Sequence, residues 1–148
     1  MNRILPLYKR FVSIINHGQS IALLCVRLAL AYTFWDTGKK KFEDIPSIAE
    51  WFESLEIPAP TLNAYLATYT ELIGAILLIL GLGTRIISIP LIITMLVAIK
   101  TVHWENGFPA GDNGYEIPLY FILMLFTTLC FGAGKISVDH FIKKYVNK

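Results

Sequence analysis

Residues 62–82, LNAYLATYTELIGAILLILGL, decide the fold of this chain. A helix of about 20 apolar residues spans the roughly 30 Å hydrocarbon core of a bilayer, and this stretch carries a single charged side chain, Glu71. Its length and composition therefore predict a helix that crosses a membrane. Gly81 and Gly83 mark the point where that helix ends.

Three further apolar stretches of similar length flank this segment. They cover residues 21–37, 86–103 and 116–132, and Pro118 falls in the first turn of the last, where a helix tolerates proline. Hydrophobic side chains make up 55% of the 148 residues and charged ones only 16%, a balance that is abnormal for a soluble domain. We therefore expect an all-α fold, a membrane-embedded four-helix bundle, with residues 1–148 forming a single integral membrane domain.

Two shorter segments are amphipathic and too polar to cross. Residues 3–16 and 44–56 place apolar side chains at helical spacing between charged ones. They predict two interfacial helices, one on each side of the membrane. The turn-forming residues 17–20 separate the first from span one, with Ser20 as the N-cap of that span, and Pro58 closes the second.

The distribution of basic residues predicts the orientation. With four crossings both termini lie on one side, which holds eight lysines and arginines against four on the other. Because cytoplasmic loops carry the excess of Lys and Arg, both termini are expected in the cytoplasm. The eight are Arg3, Lys9, Arg10, Arg85, Lys135, Lys143, Lys144 and Lys148, and the four are Lys39, Lys40, Lys41 and Lys100.

Charge, histidine and cysteine content argue against several functional classes. A net charge of +2 without a basic stripe gives no reason to expect nucleic-acid binding. His17, His103 and His140 fall in different segments, so no metal site is expected. Cys25 and Cys130 lack C-x-x-C spacing and lie in apolar stretches, where cysteine acts as a small hydrophobic side chain.

Eight short motifs follow one another along residues 19–139. They are Arg27, Gly38-Lys39-Lys40-Lys41-Phe42, Ile57-Pro58-Ala59-Pro60, Glu71-Leu72-Ile73-Gly74, Gly81-Leu82-Gly83-Thr84-Arg85, Ala98 to His103, Tyr115-Glu116-Ile117-Pro118, and Gly132-Ala133-Gly134-Lys135-Ile136-Ser137-Val138-Asp139. In this order they resemble the DoxX family. The resemblance implies a four-helix protein of the prokaryotic cytoplasmic (inner) membrane. It places the chain in a family named for its similarity to a membrane subunit of an archaeal thiosulfate:quinone oxidoreductase, with members associated with thiol and oxidative stress handling and with copper-related peptide systems.

Two charged residues fall inside predicted spans. Arg27 and Glu71 each lie about nine residues from the outer end of their helix, so at 1.5 Å per residue their depths match. A charge near the bilayer centre costs about 2.5 to 3.5 kcal/mol, and pairing is the usual relief. The sequence therefore predicts an Arg27–Glu71 ion pair. Two roles stay open, fixing the packing of spans one and two or forming the floor of a polar cavity that binds a ligand or relays protons.

A second group of polar residues lies at the outer ends of the spans. Lys100 and His103 are three residues apart and share a helix face, while Glu116 opens span four and Lys41 follows span one. A histidine that exchanges protons near neutral pH suits the docking of a quinone headgroup or another anionic ligand. The alternative is interfacial anchoring, by snorkelling lysines and a belt of aromatic residues such as Trp104.

The leading functional hypothesis is a membrane component of a redox or stress-linked pathway that binds a quinone-like or other small amphiphilic ligand. The predicted ligand-binding residues are Arg27, Glu71, Lys41, Lys100, His103 and Glu116. We expect a quinone as the cofactor, held noncovalently. Because the sequence shows no haem, flavin or iron–sulfur motif, we expect the chain to be at most a non-catalytic or partner-dependent subunit of a quinone-linked oxidoreductase.

Two alternatives stay open beside this hypothesis. One is a non-catalytic scaffold that docks a partner protein through the acidic outer face, and the other is a small transporter. The expected partners are the lipid bilayer and a soluble or membrane-bound redox protein. The sequence leaves the oligomeric state and the identity of the ligand open.

Overall fold

The structure is a computed structural model that describes residues 4–146, and within them the chain forms α-helices, short helical turns and loops. Arg3 and Lys148, which the orientation count included, lie outside these residues. The six α-helices are α1 (Ile4–Glu43), α2 (Ile45–Ser54), α3 (Pro60–Leu80), α4 (Thr84–Ala98), α5 (Glu116–Phe131) and α6 (Val138–Val146). The predicted all-α membrane fold is confirmed.

Length and composition separate the long apolar helices from the short ones. In the described part of the chain, three helical segments are long and apolar enough to cross a membrane: Tyr8–Glu43 in α1, Pro60–Leu80, which is α3, and Thr84–Asn106, which joins α4 to the turns that follow it. The apolar helix α5 has 16 residues and is shorter. The sequence placed the corresponding spans at 21–37, 62–82, 86–103 and 116–132.

The first helix is continuous, and here the sequence-based prediction was wrong. α1 runs for 40 residues without a break at residues 17–20, so the segment 3–16 is not a separate interfacial helix. A glycine inside a helix costs about 1 kcal/mol relative to alanine, which is too little to end a helix that its neighbours continue. Ser20 is not an N-cap either, because it lies in the interior of α1; its Oγ accepts a hydrogen bond from the Lys135 N–H at 3.3 Å.

The second helix packs its apolar side onto the bundle. Asp44 is its N-cap and accepts hydrogen bonds from the Ser47 N–H at 3.1 Å and the Ser47 hydroxyl at 2.6 Å. These two bonds stabilise the charged carboxylate and lower the pKa of Asp44. The buried face of α2, which includes Ala49 and Phe52, packs against Ala64 at the start of α3.

The four apolar helices pack as antiparallel neighbours, α1 against α3, α3 against α4, and α4 and α1 against α5. Hydrophobic burial contributes little between helices in lipid, so close packing through small residues matters more. A Cβ at Gly38 would lie 3.0 Å from Leu72 Cγ, and one at Gly74 would lie 3.0 Å from Leu91 Cδ1. The glycines therefore permit α1 and α4 to approach α3 closely.

The bundle has two chemically different ends. The loop end carries α2 and the segment that follows α4, a π-helical turn at Ile99–His103 and two short 3-10 turns. The terminal end carries the α3–α4 turn at residues 81–83, the segment 132–137 and α6. Sequence analysis did not predict α6, which has only nine residues and contains an acid, a histidine and two lysines.

Candidate functional site

Arg27 lies at the terminal end, where it holds helix ends together. Its side chain is fully buried. Nη1 donates to the Leu78 carbonyl at 2.8 Å, and Nη2 donates to the Ile136 carbonyl at 2.6 Å. The last carbonyls of an α-helix have no partner within the helix and carry the negative end of its dipole. Arg27 therefore caps the C-terminus of α3 and ties it to the segment before α6.

The neighbours of Arg27 explain the glycine that begins one of the sequence motifs and the aspartate that ends another. Gly81 has a left-handed conformation with φ of +66°, and a Cβ there would collide with the Arg27 guanidinium. Asp139 Oδ1 accepts a hydrogen bond from the Gly83 N–H at 2.8 Å, at the start of α4. We call Arg27, Gly81, Gly83 and Asp139 the terminal cluster. Its geometry gives Arg27 a structural role.

Glu71 lies elsewhere, so the predicted Arg27–Glu71 ion pair is wrong. Glu71 Oε1 pairs with Lys41 Nζ, and Oε2 accepts a hydrogen bond from the Thr37 hydroxyl at 2.9 Å. The register between α1 and α3 explains the error. Glu71 faces Thr37, which is ten residues beyond Arg27 and therefore about 15 Å further along α1.

Lys41 reaches Glu71 because α1 continues to Glu43. Thr37 and Lys41 are four residues apart and lie on the same face of this helix. Glu71 is 1% exposed and the Lys41 side chain 21% exposed, so the carboxylate is enclosed while the ammonium group borders the surface. We call Thr37, Lys41 and Glu71 the Lys41–Glu71 site. It brings together two of the six residues that sequence analysis proposed for ligand binding.

Three aromatic side chains form an outer surface of α1 and α3 at the level of this site. The Phe42 and Tyr69 rings meet edge to face with centroids 6.2 Å apart, and Tyr65 stacks on Tyr69 at 6.3 Å. All three are about half exposed. We call Phe42, Tyr65 and Tyr69 the aromatic surface. It provides exposed ring faces on the same two helices that carry Lys41 and Glu71.

The other proposed residues lie at separate places of the loop end. Lys100 lines a cavity of about 310 Å³ between the end of α2 and the π-helical turn, together with Glu56 and Glu105. His103 Nδ1 lies 2.8 Å from the Asn113 carbonyl oxygen. His103 therefore supports the loop that leads into α5.

Glu116 supports the same loop at another point. Its carboxylate accepts hydrogen bonds from the Ala110 N–H and the Tyr120 hydroxyl, both at 2.9 Å. Both of its oxygens are thus bonded to protein groups. The structure gives His103 and Glu116 roles in loop geometry and joins neither to the Lys41–Glu71 site.

Sequence analysis missed several polar residues that are buried or half-buried. Thr37 completes the Lys41–Glu71 site, and Asp139 caps α4. Ser88 and Thr128 lie 2.8 Å apart, oxygen to oxygen, between α4 and α5. The four-residue spacing of Thr84 and Ser88 places both on one face of α4 and is a signal that could have indicated this polar contact.

Comparison with known proteins gives a consistent result. The DoxX family model matches residues 22–104. An uncharacterized protein of Haemophilus influenzae is 35% identical over 86% of this chain and 87% of its own length. The Bacillus subtilis protein named "Putative oxidoreductase CatD" is 28% identical over 87% and 92%, and the Escherichia coli "Inner membrane protein YphA" is 30% identical over 82% and 91%. No solved structure matches the chain.

Proposed function

Because the chain belongs to the DoxX family of membrane proteins, we propose that it binds the headgroup of a quinone-like, small amphiphilic ligand as the membrane component of a redox or stress-linked pathway. One observation carries this proposal, the enclosed Lys41–Glu71 ion pair between two membrane helices. The name of the E. coli relative supports a location in the inner membrane, and the name of the B. subtilis relative supports a redox role.

The Lys41–Glu71 ion pair differs from the buried charge of Arg27 in its contribution to the fold. Arg27 satisfies the Leu78 carbonyl at the end of α3 and the Ile136 carbonyl in the segment before α6, which accounts for its presence. Lys41 and Glu71 satisfy each other and cap no helix. Ionisable residues inside membrane segments are costly, and by default they mark a functional site. An apolar pair of similar volume would hold α1 against α3 equally well.

The residues at the site fit the headgroup of a quinone. Lysine has three N–H donors, and Lys41 directs one toward Glu71, so others are free for a carbonyl oxygen of the ligand. The aromatic surface offers ring faces for stacking, and the surrounding apolar helix faces suit a hydrocarbon tail. A bound quinone would supply the redox chemistry. Lys41 would orient the headgroup, and Glu71, which Thr37 holds through its other oxygen, would hold or accept a proton beside it.

A titration with a short-chain quinone tests the proposal. The protein is placed in lipid nanodiscs, and binding is followed through quenching of its tryptophan fluorescence. We expect Lys41→Met with Glu71→Leu to weaken binding by about tenfold or more, the size expected for losing a hydrogen bond from a charged group.

The chain offers a matched control in the exposed ion pair of Lys40 and Asp36, 2.7 Å apart on the outside of α1. Lys40→Met with Asp36→Leu also removes one positive and one negative charge, at the positions just before Lys41 and Thr37 on α1, and we expect it to leave quinone affinity unchanged. If both double variants bind the quinone with the same affinity as the natural protein, the Lys41–Glu71 site is not where the quinone binds.

The scaffold function stays a second candidate because of one feature of α2. Glu50 and Glu53 line a second cavity of about 240 Å³ between α2 and α3. Trp51 beside them is 43% exposed, and an exposed Trp flanked by acids is a suitable contact for a basic partner. The scaffold function would be favoured if one soluble protein co-purifies with the chain, is lost from the Trp51→Ala variant, and is retained by the variant that combines Lys41→Met with Glu71→Leu.

A further inference from the structure

The short helix α6 has an apolar face that the rest of the described chain does not cover. Val138, Phe141, Ile142 and Tyr145 recur at the spacing that places side chains on one side of a helix. Phe141 is 59% exposed and Tyr145 is 74% exposed. Lys143 and Lys144 lie among the remaining positions, so α6 presents an apolar face together with positive charge.

The first turn of α6 is fixed to the bundle. The Asp139 N–H donates to the Gly81 carbonyl at 3.1 Å, and the Asp139 carboxylate accepts from the Gly83 N–H. Beyond this turn α6 makes little contact with the bundle, and its last residues are exposed. A helix of nine residues is not stable by itself in water, so the exposed apolar face needs a partner.

The surroundings of α6 indicate what that partner is. At the same end of the bundle, Ile86, Phe131 and Ile136 are exposed, with Ile86 at 76%. Exposed apolar side chains on a membrane bundle face lipid, so the face of α6 continues a lipid-facing surface. Positive charge flanking an apolar helix face is complementary to anionic headgroups.

We propose that α6 lies in the bilayer interface at the terminal end and binds anionic phospholipid headgroups through Lys143 and Lys144. This inference concerns the opposite end of the bundle from the Lys41–Glu71 site and does not depend on quinone binding. It also has a consequence for stability. Because Asp139 and the Ile136 carbonyl join α6 to the terminal cluster, lipid that binds α6 stabilises the folded bundle by mass action.

Limited proteolysis of the full chain in nanodiscs tests this proposal. Trypsin cuts after Lys143 and Lys144, and mass spectrometry of the C-terminal fragments gives the cleavage rate. In nanodiscs that contain phosphatidylglycerol, we expect cleavage to be about thirtyfold slower than in phosphatidylcholine alone, the size expected for two lysines at an anionic surface. We expect Phe141→Ser with Tyr145→Ser to remove this protection.

A control on the same helix separates the apolar face from a general loss of structure. His140→Ser changes an exposed residue outside that face, and we expect it to keep the protection. Equal cleavage rates in the two lipids would overturn the proposal. Protection in detergent that rises with protein concentration would also overturn it, because a second copy of the chain would then cover α6.

Discussion

Thr37 donates its hydroxyl hydrogen to Glu71 Oε2 across 2.9 Å, from α1 to α3. The other carboxylate oxygen pairs with Lys41, so both oxygens of this buried acid have a partner supplied by α1. A buried carboxylate loses its hydration and is stable only when its lone pairs are satisfied. The Thr37–Glu71 bond is therefore part of what keeps a charge inside the bundle.

Removing this hydroxyl has a measurable cost. Thr37→Val keeps the shape of the side chain and leaves Glu71 Oε2 without a donor, which we expect to lower the free energy of unfolding by about 1–3 kcal/mol. Thr37→Ser keeps the hydroxyl and should retain most of the stability. The control is Thr33→Val, one turn earlier, where the hydroxyl bonds only to the Ala29 carbonyl of its own helix. Equal unfolding midpoints for Thr37→Val and Thr33→Val in detergent would contradict the prediction.

Alanine variants of two glycines in the α3–α4 turn separate the cost of backbone strain from the cost of a steric collision. Gly81 and Gly83 both have positive φ, of +66° and +58°, so alanine costs about 1–2 kcal/mol at either position. At Gly83 a Cβ would meet open space, whereas at Gly81 it would collide with Arg27 and Ser137. We expect Gly81→Ala to lower the thermal unfolding midpoint clearly more than Gly83→Ala. Equal midpoints would show that Arg27 is not seated against Gly81.

Acid is expected to loosen the start of α2. The bonds from Ser47 lower the pKa of Asp44 below its unfolded value of 3.8. The carboxylate therefore stabilises α2 fully above that value, and the stabilisation is lost as the pH falls through the lower folded pKa. We expect Trp51 fluorescence, measured with Trp35 and Trp104 replaced by phenylalanine, to change in this acid range. In an Asp44→Ala variant the change should be absent, and an unaltered titration would contradict the role of this cap.

Orientation is tested by cysteine labelling in a background without Cys25 and Cys130. With the terminal end in the cytoplasm, Asn113→Cys at the loop end should react with a membrane-impermeant thiol reagent in intact cells. His140→Cys on α6 should react only after the cells are broken. The reverse pattern would contradict the orientation that the lysine and arginine count predicts.

The helical architecture could be predicted from sequence because, in lipid, the backbone N–H and C=O groups of each long apolar segment must be hydrogen-bonded to one another. A single segment can do this only as a helix. The continuity of α1 could not be read from local signals. His17-Gly18-Gln19-Ser20 is typical of a turn, and the cost of Gly18 in a helix is smaller than the stabilisation its neighbours supply. α6 was missed because it is short and its anchoring residue, Asp139, bonds to Gly83 in a turn 56 residues earlier.

The candidate site was predicted in part. The burial of Arg27 and Glu71 follows from their position inside apolar stretches, but their partners depend on the register between helices. The predicted Arg27–Glu71 ion pair rested on the assumption that two charges at equal depth in neighbouring helices contact each other. Arg27 bonds to the Leu78 and Ile79 carbonyls, which are among those that any α-helix leaves unsatisfied at its C-terminus, and a pattern of side chains does not show such acceptors.

The most direct test of the central claim measures stability and ligand affinity in the same variants of one residue pair. Lys41→Met and Glu71→Leu are made singly and together, and each protein is unfolded and titrated with the short-chain quinone in the same nanodiscs. Lys41→Met leaves the buried Glu71 carboxylate without its partner and should lower stability by about 3–5 kcal/mol. Glu71→Leu should lower it less, because the Lys41 ammonium group borders the surface. The double replacement should recover most of the loss. If the pair forms a ligand site, quinone affinity stays at least about tenfold weaker in the double variant although its stability has recovered. Recovery of affinity together with stability would contradict the claim, because the pair would then serve only to pack α1 against α3.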